Sequence, residues 1–262
     1  MSNQQSVKPI RLDKYITSQR EDLSRSDIRR IVKAGRVCVN SIPVKLYDMK
    51  ITPLKDKVTL DGEEIIYKKH IYIMLNKPQG VVCSTKDGLS PTVLSLIPPH
   101  LSRKGLFPAG RLDKDTEGFV LITDDGELAH KMLSPKNHVP KVYYVELLKN
   151  VEENYKEKFK EGIVLKDGVK CLPSEIFFID NQPKKCLVVL HEGMFHQVKN
   201  MFIAVDNKVE FLKRIQIGGL PLNDKLCTGE CLEILHKDVR KLLLKPPFEA
   251  ESLLNTGLFR QN

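Results

Sequence analysis

The stretch FPAGRLDKDTEGFVLITDDGELAH, residues 107–130, carries the clearest signals for how the larger part of this chain folds. Three glycines punctuate it, and the segment FVLIT between the last two is strongly β-prone. Because glycine allows tight turns, the pattern predicts a loop, a strand over 119–123 and a helix over GELAHKML. Asp113 falls in the loop that feeds the strand. Reactive side chains are commonly placed on loops that a rigid sheet holds.

Strand patterns recur on both sides of this stretch, with helix patterns between some of them. On the N-terminal side, IYIMLNKPQGVVCST predicts a strand, a Pro-Gly turn and a second strand. On the C-terminal side we expect, in order, a strand over 142–148, a helix near 151–162, strands at IFFID and CLVVLHEG, a helix from about 195 to 204, a strand in VEFLKRIQIGG and a last helix at DVRKLLL. Since these elements lack a regular βαβ rhythm, we predict an α+β fold with a mainly antiparallel mixed sheet.

The first third of the chain follows a different pattern. Apolar residues from Leu12 to Val32 have helical spacing that is interrupted at SQRED, which predicts two short helices, with Ser24 or Ser26 capping the second. Gly35 ends that helix, and RVCVN, SIPVK and DKVTLDGEEI predict short strands joined by turns. We expect a small ααβ domain over residues 1–68, a larger domain over 69–245 and a C-terminal tail over 246–262.

The charge distribution indicates a polyanionic partner. The chain of 262 residues has a formal net charge of +9 and a pI near 9.1, and residues 1–70 hold 15 Lys and Arg against 9 Asp and Glu. The second helix places four cations on one side, which favours RNA binding over a merely solvated face. The basic residues that we expect to contact RNA are Arg11, Arg25, Arg29, Arg30, Lys33 and Arg36.

Composition also sets the expected compartment. The sequence contains no run of roughly 18 apolar residues, and MSNQQSVKPIRL lacks the apolar core of a signal peptide, so we expect a cytoplasmic protein that does not act at a membrane. The six cysteines fit no disulfide framework and are expected to be reduced thiols. The closest pair, in CTGEC, lacks zinc-site spacing.

Metal binding is the main alternative for the Asp113 loop. Acidic residues at 113, 115, 117 and 124 partly match an EF-hand, and a magnesium site is also conceivable. An EF-hand requires a helix before the loop, however, and GLFPAG does not predict one. The sequence HEGMFH is one residue too long for a zinc-binding HExxH motif. A lone carboxylate nucleophile remains, since Asp113 would be ionised at neutral pH without a partner base.

Two resemblances refine these expectations. RLDKYI together with SRSDIRRIVKAGRVCVN resembles the S4 domain, a small RNA-binding module, over residues 9–66. LNKPQG, PAGRLDKDTEGFVLITDDG, KVYYVEL, EGMFHQVKNMF and LKRIQIGGLPL, in this order, resemble the RsuA-type pseudouridine synthases. The resemblance implies an enzyme that isomerises a particular uridine in ribosomal RNA by detaching the uracil and rejoining it through carbon, without cofactor or metal, and a role in ribosome biogenesis.

The second resemblance also implies roles for individual residues. Asp113 would be the catalytic carboxylate, Lys199 the basic residue that pairs with it, and Tyr143 the aromatic ring that packs against a flipped-out uracil. Arg111 would help to displace the target nucleotide. Ile217 and Leu220 would form the apolar wall of the pocket. Phe195, Val198 and Phe202, at helical spacing, are expected in the core instead.

Several alternatives stay open at this point. The segments STKDGLSPTVL, TDDG and MLSPKNH resemble small-subunit enzymes more than large-subunit ones. Asn200 stands where the family usually has Arg, and a ribosome-assembly factor that binds RNA without chemistry is a second hypothesis. We expect a monomer. RLDK also occurs at residues 11–14, and there Asp13 is expected on a helix surface with no catalytic role.

Overall fold

A computed structural model of the chain describes residues 8–20 and 22–247. These residues form two compact units. The first contains the described residues up to Ile71 together with Pro98–Leu106, and the second contains Tyr72–Ile97 and the described residues from Phe107 onward. The predicted boundary at residues 68 and 69 therefore does not include Pro98–Leu106, which belongs to the first unit. Most of the predicted tail, 246–262, lies outside the described residues.

The first unit has the two helices and short strands that the sequence predicts. Its elements are β1 (Ile10–Arg11), α1 (Leu12–Gln19), α2 (Arg25–Lys33), β2 (Val37–Val39), β3 (Ile42–Pro43), β4 (Lys50–Ile51), β5 (Val58–Leu60) and β6 (Glu63–Glu64). Strands β3, β2, β5 and β6 form one antiparallel sheet in that order, and β1 pairs with β4. Ser24 and Asp27 form a reciprocal capping box at the start of α2, which satisfies otherwise unpaired backbone donors.

Asp13 corrects one expectation about the first unit. Its side chain is only 4% exposed, so it is not a surface residue. Arg11 donates to both of its carboxylate oxygens, at 3.0 and 2.8 Å, and the Lys14 amide donates a third bond of 2.8 Å. The hydrogen bond from Arg11, in spite of burial, lowers the pKa of Asp13 below its ordinary value. The first RLDK is therefore a structural ion pair.

The second unit is built on one large sheet. Its strands are β7 (Tyr72–Lys77), β8 (Phe107–Ala109), β9 (Glu117–Thr123), β10 (Lys141–Leu147), β11 (Glu175–Phe178), β12 (Lys185–Leu190), β13 (Val209–Ile217), β14 (Leu220–Pro221) and β15 (Cys231–Glu233). Its α-helices are α3 (Gly126–Leu133), α4 (Tyr155–Glu161), α5 (Gln197–Ala204) and α6 (His236–Val239). Along the sheet the order is β11-β12-β10-β13-β9-β7-β15, with β8 beside β9 and β14 beside β13.

This sheet confirms the predicted fold class. Every pairing between these strands in the described residues is antiparallel except β9 with β13, so the sheet is mixed but mainly antiparallel. Helix α3 covers the predicted residues. The core on one face includes Phe119, Leu121, Val142 and Ile215, all fully buried. Among the described residues, no helix is long and apolar enough to cross a membrane.

Two predicted elements of the second unit differ in the structure. The segment after Pro78 does not form a second strand, and only an isolated bridge joins Val82 to Thr92. The last helix is shorter than DVRKLLL suggests, because α6 ends at Val239 and a 3-10 turn over Arg240–Leu243 continues it.

Candidate active site

The loop that carries Asp113 runs from β8 to β9 and rests on a buried lysine. Lys77, at the end of β7, has no exposed surface, and burial lowers the pKa of its ammonium group. Its Nζ donates to the carbonyl oxygens of Pro78 at 2.9 Å, Lys114 at 3.3 Å and Thr116 at 2.7 Å. The Lys114 and Thr116 carbonyls flank Asp115, so two of these bonds fix the loop backbone on either side of it, and the third joins the segment after β7. The loop is thus held by the sheet.

The single parallel pairing brings β13 against the base of the same loop. Gly118 has φ +102°, and a Cβ atom there would lie 2.2 Å from the carbonyl oxygen of Arg214. Only glycine permits this approach. Arg214 itself is 4% exposed, and its Nε donates to the carbonyl oxygen of Phe119 at 2.8 Å. The close crossing therefore places a buried guanidinium group directly behind the loop.

Asp113 is paired with the basic residue that the sequence predicts. Lys199 Nζ lies 2.9 Å from Asp113 Oδ2 and 2.6 Å from Asp115 Oδ1. Burial lowers the pKa of Lys199, but the hydrogen bonds to Asp115 and Asp113 outweigh it and raise the pKa overall. The hydrogen bond from Lys199 lowers the pKa of Asp115. Lys199 is therefore a firmly protonated cation between two carboxylates, and Asp115 is a partner that sequence reasoning missed.

His196 is a second residue that the sequence did not reveal. Its Nε2 lies 3.5 Å from Asp113 Oδ1, and its backbone is left-handed, with φ 50°. Helix α5 begins only at Gln197, so the two preceding residues do not share its periodicity. Phe195 is consequently 75% exposed and not in the core, while Val198 and Phe202 are buried as expected. The Phe195 ring stacks on the His196 ring, with centroids 3.8 Å apart.

Asp113 lines a cavity of about 790 Å³ in the second unit. Tyr143 and Arg111, both predicted, line the same cavity, and so do Val198 and Leu212. Tyr143 is 9% exposed, whereas Arg111 is exposed and makes no ion pair with the described residues. The cavity therefore combines a carboxylate, an aromatic ring and aliphatic walls with a free guanidinium group.

The predicted wall residues lie elsewhere. Ile217 is 1% exposed and Leu220 is 8% exposed, and both belong to the hydrophobic core of the sheet. Neither lines the cavity that contains Asp113. Leu212 occupies the place that was assigned to them, from an earlier point on β13. Alternation along the strand could have suggested Leu212, but the register of β13 against β10 shifts between Arg214 and Gln216, so Leu212 and Ile217 are not related by simple alternation.

The metal alternatives receive no support from this geometry. Strand β8 leads into the Asp113 loop and β9 leaves it, so the helices of an EF-hand are replaced by strands. Within residues 8–20 and 22–247 no group of three or more His, Cys, Asp or Glu is arranged to hold a metal ion. Asp113 and Asp115 instead share Lys199. An ionised carboxylate beside a cation at a cavity can act as a nucleophile or accept a proton.

In the first unit, helix α2 carries a basic face. Arg25, Arg29 and Lys33 are exposed and make no ion pair with the described residues, and Arg29 Cζ lies 4.9 Å from the centre of the Tyr47 ring. The other three predicted RNA contacts are engaged in ion pairs within the unit: Arg11 with Asp13, Arg30 with Asp27 and Arg36 with Asp61. The strongest candidates for phosphate contacts are thus the three unpaired cations.

Comparison with known proteins adds independent findings. The family model described as RNA pseudouridylate synthase matches residues 71–204, and the S4 domain model matches residues 10–64. The chain is 40% identical to the uncharacterized RNA pseudouridine synthase YtzG of Bacillus subtilis, over 89% of this chain and 98% of that protein. It is 38% identical to ribosomal small subunit pseudouridine synthase A of Escherichia coli, over 89% and 100%. A crystal structure of a pseudouridylate synthase superimposes with a TM-score of 0.62 at 37% identity, over 89% of this chain and 99% of that one.

Proposed function

The chain belongs to the RNA pseudouridylate synthase family, and from this premise we propose that it isomerises one specific uridine of small-subunit ribosomal RNA, with Asp113 as the catalytic carboxylate. The proposed RNA subunit is based on the relatives, several of which are named ribosomal small subunit pseudouridine synthase A. We propose further that the protein acts in the cytoplasm, as a monomer and without a metal, during ribosome biogenesis. The S4 module is proposed to hold structured RNA by shape and phosphate contacts.

One observation carries the assignment of Asp113. Its carboxylate is 2.9 Å from Lys199 Nζ and lies on the wall of a cavity that also contains Tyr143. A uracil ring stacked on Tyr143 would be enclosed by aliphatic side chains, with its ribose towards the carboxylate. The cation lies within hydrogen-bond distance of the Asp113 carboxylate, and a carboxylate nucleophile needs no partner base to activate it.

The reaction requires the target base to leave the RNA stack. We propose that Arg111, exposed at the cavity, occupies the space that the flipped nucleotide vacates. The exposed Phe195 ring offers a stacking surface for a neighbouring base, as aromatic side chains do in proteins that bind single-stranded RNA. Asn200 donates to the carbonyl oxygen of Phe195 at 3.2 Å and thus supports this segment instead of a phosphate.

Pseudouridine mapping tests the proposal. Ribosomal RNA from cells that contain or lack this protein should differ at one uridine of the small subunit, and a D113N variant should fail to restore the modification. A difference in the large subunit would reassign the substrate. If D113N restored the modification fully, Asp113 would not be the catalytic carboxylate. If no site changed while the protein still bound assembling subunits, a non-catalytic assembly role would replace the enzyme.

A further inference from the structure

Two cations in the active-site cavity take no part in the Asp113 ion pair. Lys141, at the start of β10, and Arg214, on β13, both line the cavity together with Tyr143. Lys141 and Tyr143 are two residues apart on one strand, so their side chains share a face of the sheet. A register shift between Val142 and Tyr143 sets Tyr143 directly opposite Arg214. Alternation along β10 thus places Lys141, and the β-bulge places Arg214, on the same face as the aromatic ring.

Neither cation has a complete set of partners. Within the part of the chain that the structure describes, the ammonium group of Lys141 makes no hydrogen bond or ion pair, and the buried Nη2 of Arg214 finds no acceptor. Burial, with the neighbouring Arg214, lowers the pKa of Lys141 to about 8 against a weaker opposing effect of Glu192. Glu192 Oε1 is itself occupied, since the Leu172 amide and Gln197 Nε2 donate to it.

Buried donors without acceptors are costly, and native structures rarely keep them without a reason. Arg214 Nη2 is such a donor, and the half-buried ammonium group of Lys141 lines the same cavity. A ligand with acceptor atoms would satisfy both. On the basis of the proposed function, we propose that Lys141 and Arg214 form a cationic subsite that binds the carbonyl oxygens of the target uracil.

The chemistry of the isomerisation explains why a cationic subsite would help. The C1′–N1 bond breaks as the Asp113 carboxylate bonds to C1′, and the electron pair of the broken bond leaves with the uracil, whose negative charge spreads over N1 and the O2 and O4 carbonyl oxygens. The base then turns, C5 bonds to C1′ and displaces the carboxylate, C5 releases its proton and N1 gains one, so the product is an isomer of the substrate and Asp113 is regenerated. Donors that are already in place where charge develops stabilise such a state without reorganisation.

A phosphate group is the other anion that RNA could place here, and kinetics separates the two. A phosphate contact contributes to RNA affinity and its salt dependence, whereas a contact to the departing base contributes to the rate of the bound complex. Single-turnover measurements with saturating enzyme on a small-subunit RNA fragment isolate that rate. Filter binding measures affinity on the same fragment.

The experiment compares K141M and K141R with the matched control K213M. Lys213 lies on β13, is also half-buried with a pKa lowered by burial, and does not line the cavity. We expect K141M to lower the single-turnover rate at least about tenfold with less than a threefold change in dissociation constant. K141R should retain most of the rate, and K213M should match the unmodified protein.

A second variant, R214K, keeps the charge but lacks the planar guanidinium fork, whose Nε donates to Phe119 while Nη2 remains available for a base, so we expect a rate loss there too. Thermal melting of the full chain verifies that R214K folds. If R214K does not fold, the rates of K141M and K141R alone test the cationic subsite. Unchanged rates in K141M, or loss confined to RNA affinity, would overturn the subsite. Absence of pseudouridine with the unmodified protein and its cognate RNA would instead refute the proposed function.

Discussion

Lys199 donates to Asp113 across 86 residues of sequence, and the same ammonium group contacts Asp115 at a shorter distance. One cation therefore serves two carboxylates of the same loop. The two differ in their surroundings, because the Asp115 side chain is 69% exposed and that of Asp113 is 26% exposed. Only Asp113 lines the cavity. The pair offers a natural comparison within one loop.

We expect D113N and D115N to have very different effects. D113N removes the proposed nucleophile and should lower the rate of pseudouridine formation at least about 10³-fold. D115N removes an exposed ion pair, which is worth about 0.2–1 kcal/mol, so the rate should fall less than about fivefold. Both are measured as single-turnover rates on the same RNA. Equal losses in the two variants would mean that Asp113 acts only as one half of the Lys199 pair.

The first RLDK leads to a prediction about stability. Because the folded-state pKa of Asp13 is depressed, its contribution is present above the pKa of the unfolded chain, near 3.9, and is lost as pH falls through the folded value. D13N should therefore destabilise the first unit at pH 7 by about 1–3 kcal/mol, and by less near pH 3. Hydrogen exchange of α1 in the full chain measures this.

D48N is the matched control, since Asp48 is exposed and makes no ion pair with the described residues. It removes the same charge from the same unit and should leave the protection of α1 unchanged at both pH values. A D13N chain as protected as the unmodified one at pH 7 would show that the Arg11 pair is dispensable.

The three unpaired cations of α2 predict a salt-dependent loss of RNA affinity. Replacing Arg25, Arg29 and Lys33 by Gln should reduce the slope of log affinity against log salt by roughly 2–3, because each phosphate contact contributes about 0.7–0.9 to it. The control replaces the exposed Lys160, Lys166 and Lys170 of the second unit by Gln, which removes the same charge. An equal change in both triple variants would point to net charge instead of a binding face.

Local sequence signals predicted much of this molecule, and long-range register accounts for most of what they missed. Gly118, the strand after it and helix α3 follow from residues within one short stretch. Asp113, Lys199 and Tyr143 came from motifs. Arg214, in contrast, lies opposite Tyr143 because of a bulge between two strands that are distant in sequence. No periodicity within β13 indicates that shift, although alternation along β10 places Lys141 on the same face as Tyr143.

Misassigned residues have equally specific causes. Phe195 has the spacing of an apolar helix face, but the left-handed backbone of His196 starts the helix later and turns the ring outward. Ile217 and Leu220 follow the same strand as the true wall residue, and a change of register decides which side chains face the cavity. Asp13 is buried because Arg11 neutralises it, whereas the i to i+3 spacing of Arg11, Asp13 and Lys14 indicated the surface of a helix.

Lys141 predicts a conflict between stability and turnover. Its pKa in the folded protein, about 8, lies below its ordinary value of 10.5. The charged ammonium group therefore destabilises the folded state fully below pH 8, and this destabilisation decreases as the pH rises to 10.5. K141M should therefore raise the free energy of unfolding at pH 7 by about 1–2 kcal/mol while slowing the reaction. The gain should vanish above about pH 10.5. Urea unfolding at pH 7 and 10.5 tests both statements, and a destabilised K141M at pH 7 would contradict them.

Phe195 provides a test of how RNA approaches the cavity. The ring is 75% exposed, and among the described residues its only ring contact is with His196. The His196 imidazole in turn lies beside the Asp113 carboxylate. If a base flanking the target uridine stacks on it, F195A should weaken RNA binding by about 1–3 kcal/mol and F195W should not, because any aromatic face supports stacking. L235A removes a similarly exposed apolar side chain, at 61%, and should have no effect. Filter binding at constant salt distinguishes these outcomes. Should F195A bind RNA normally but react slowly, the ring would instead hold His196 against Asp113, and the exposed face would have no nucleotide partner.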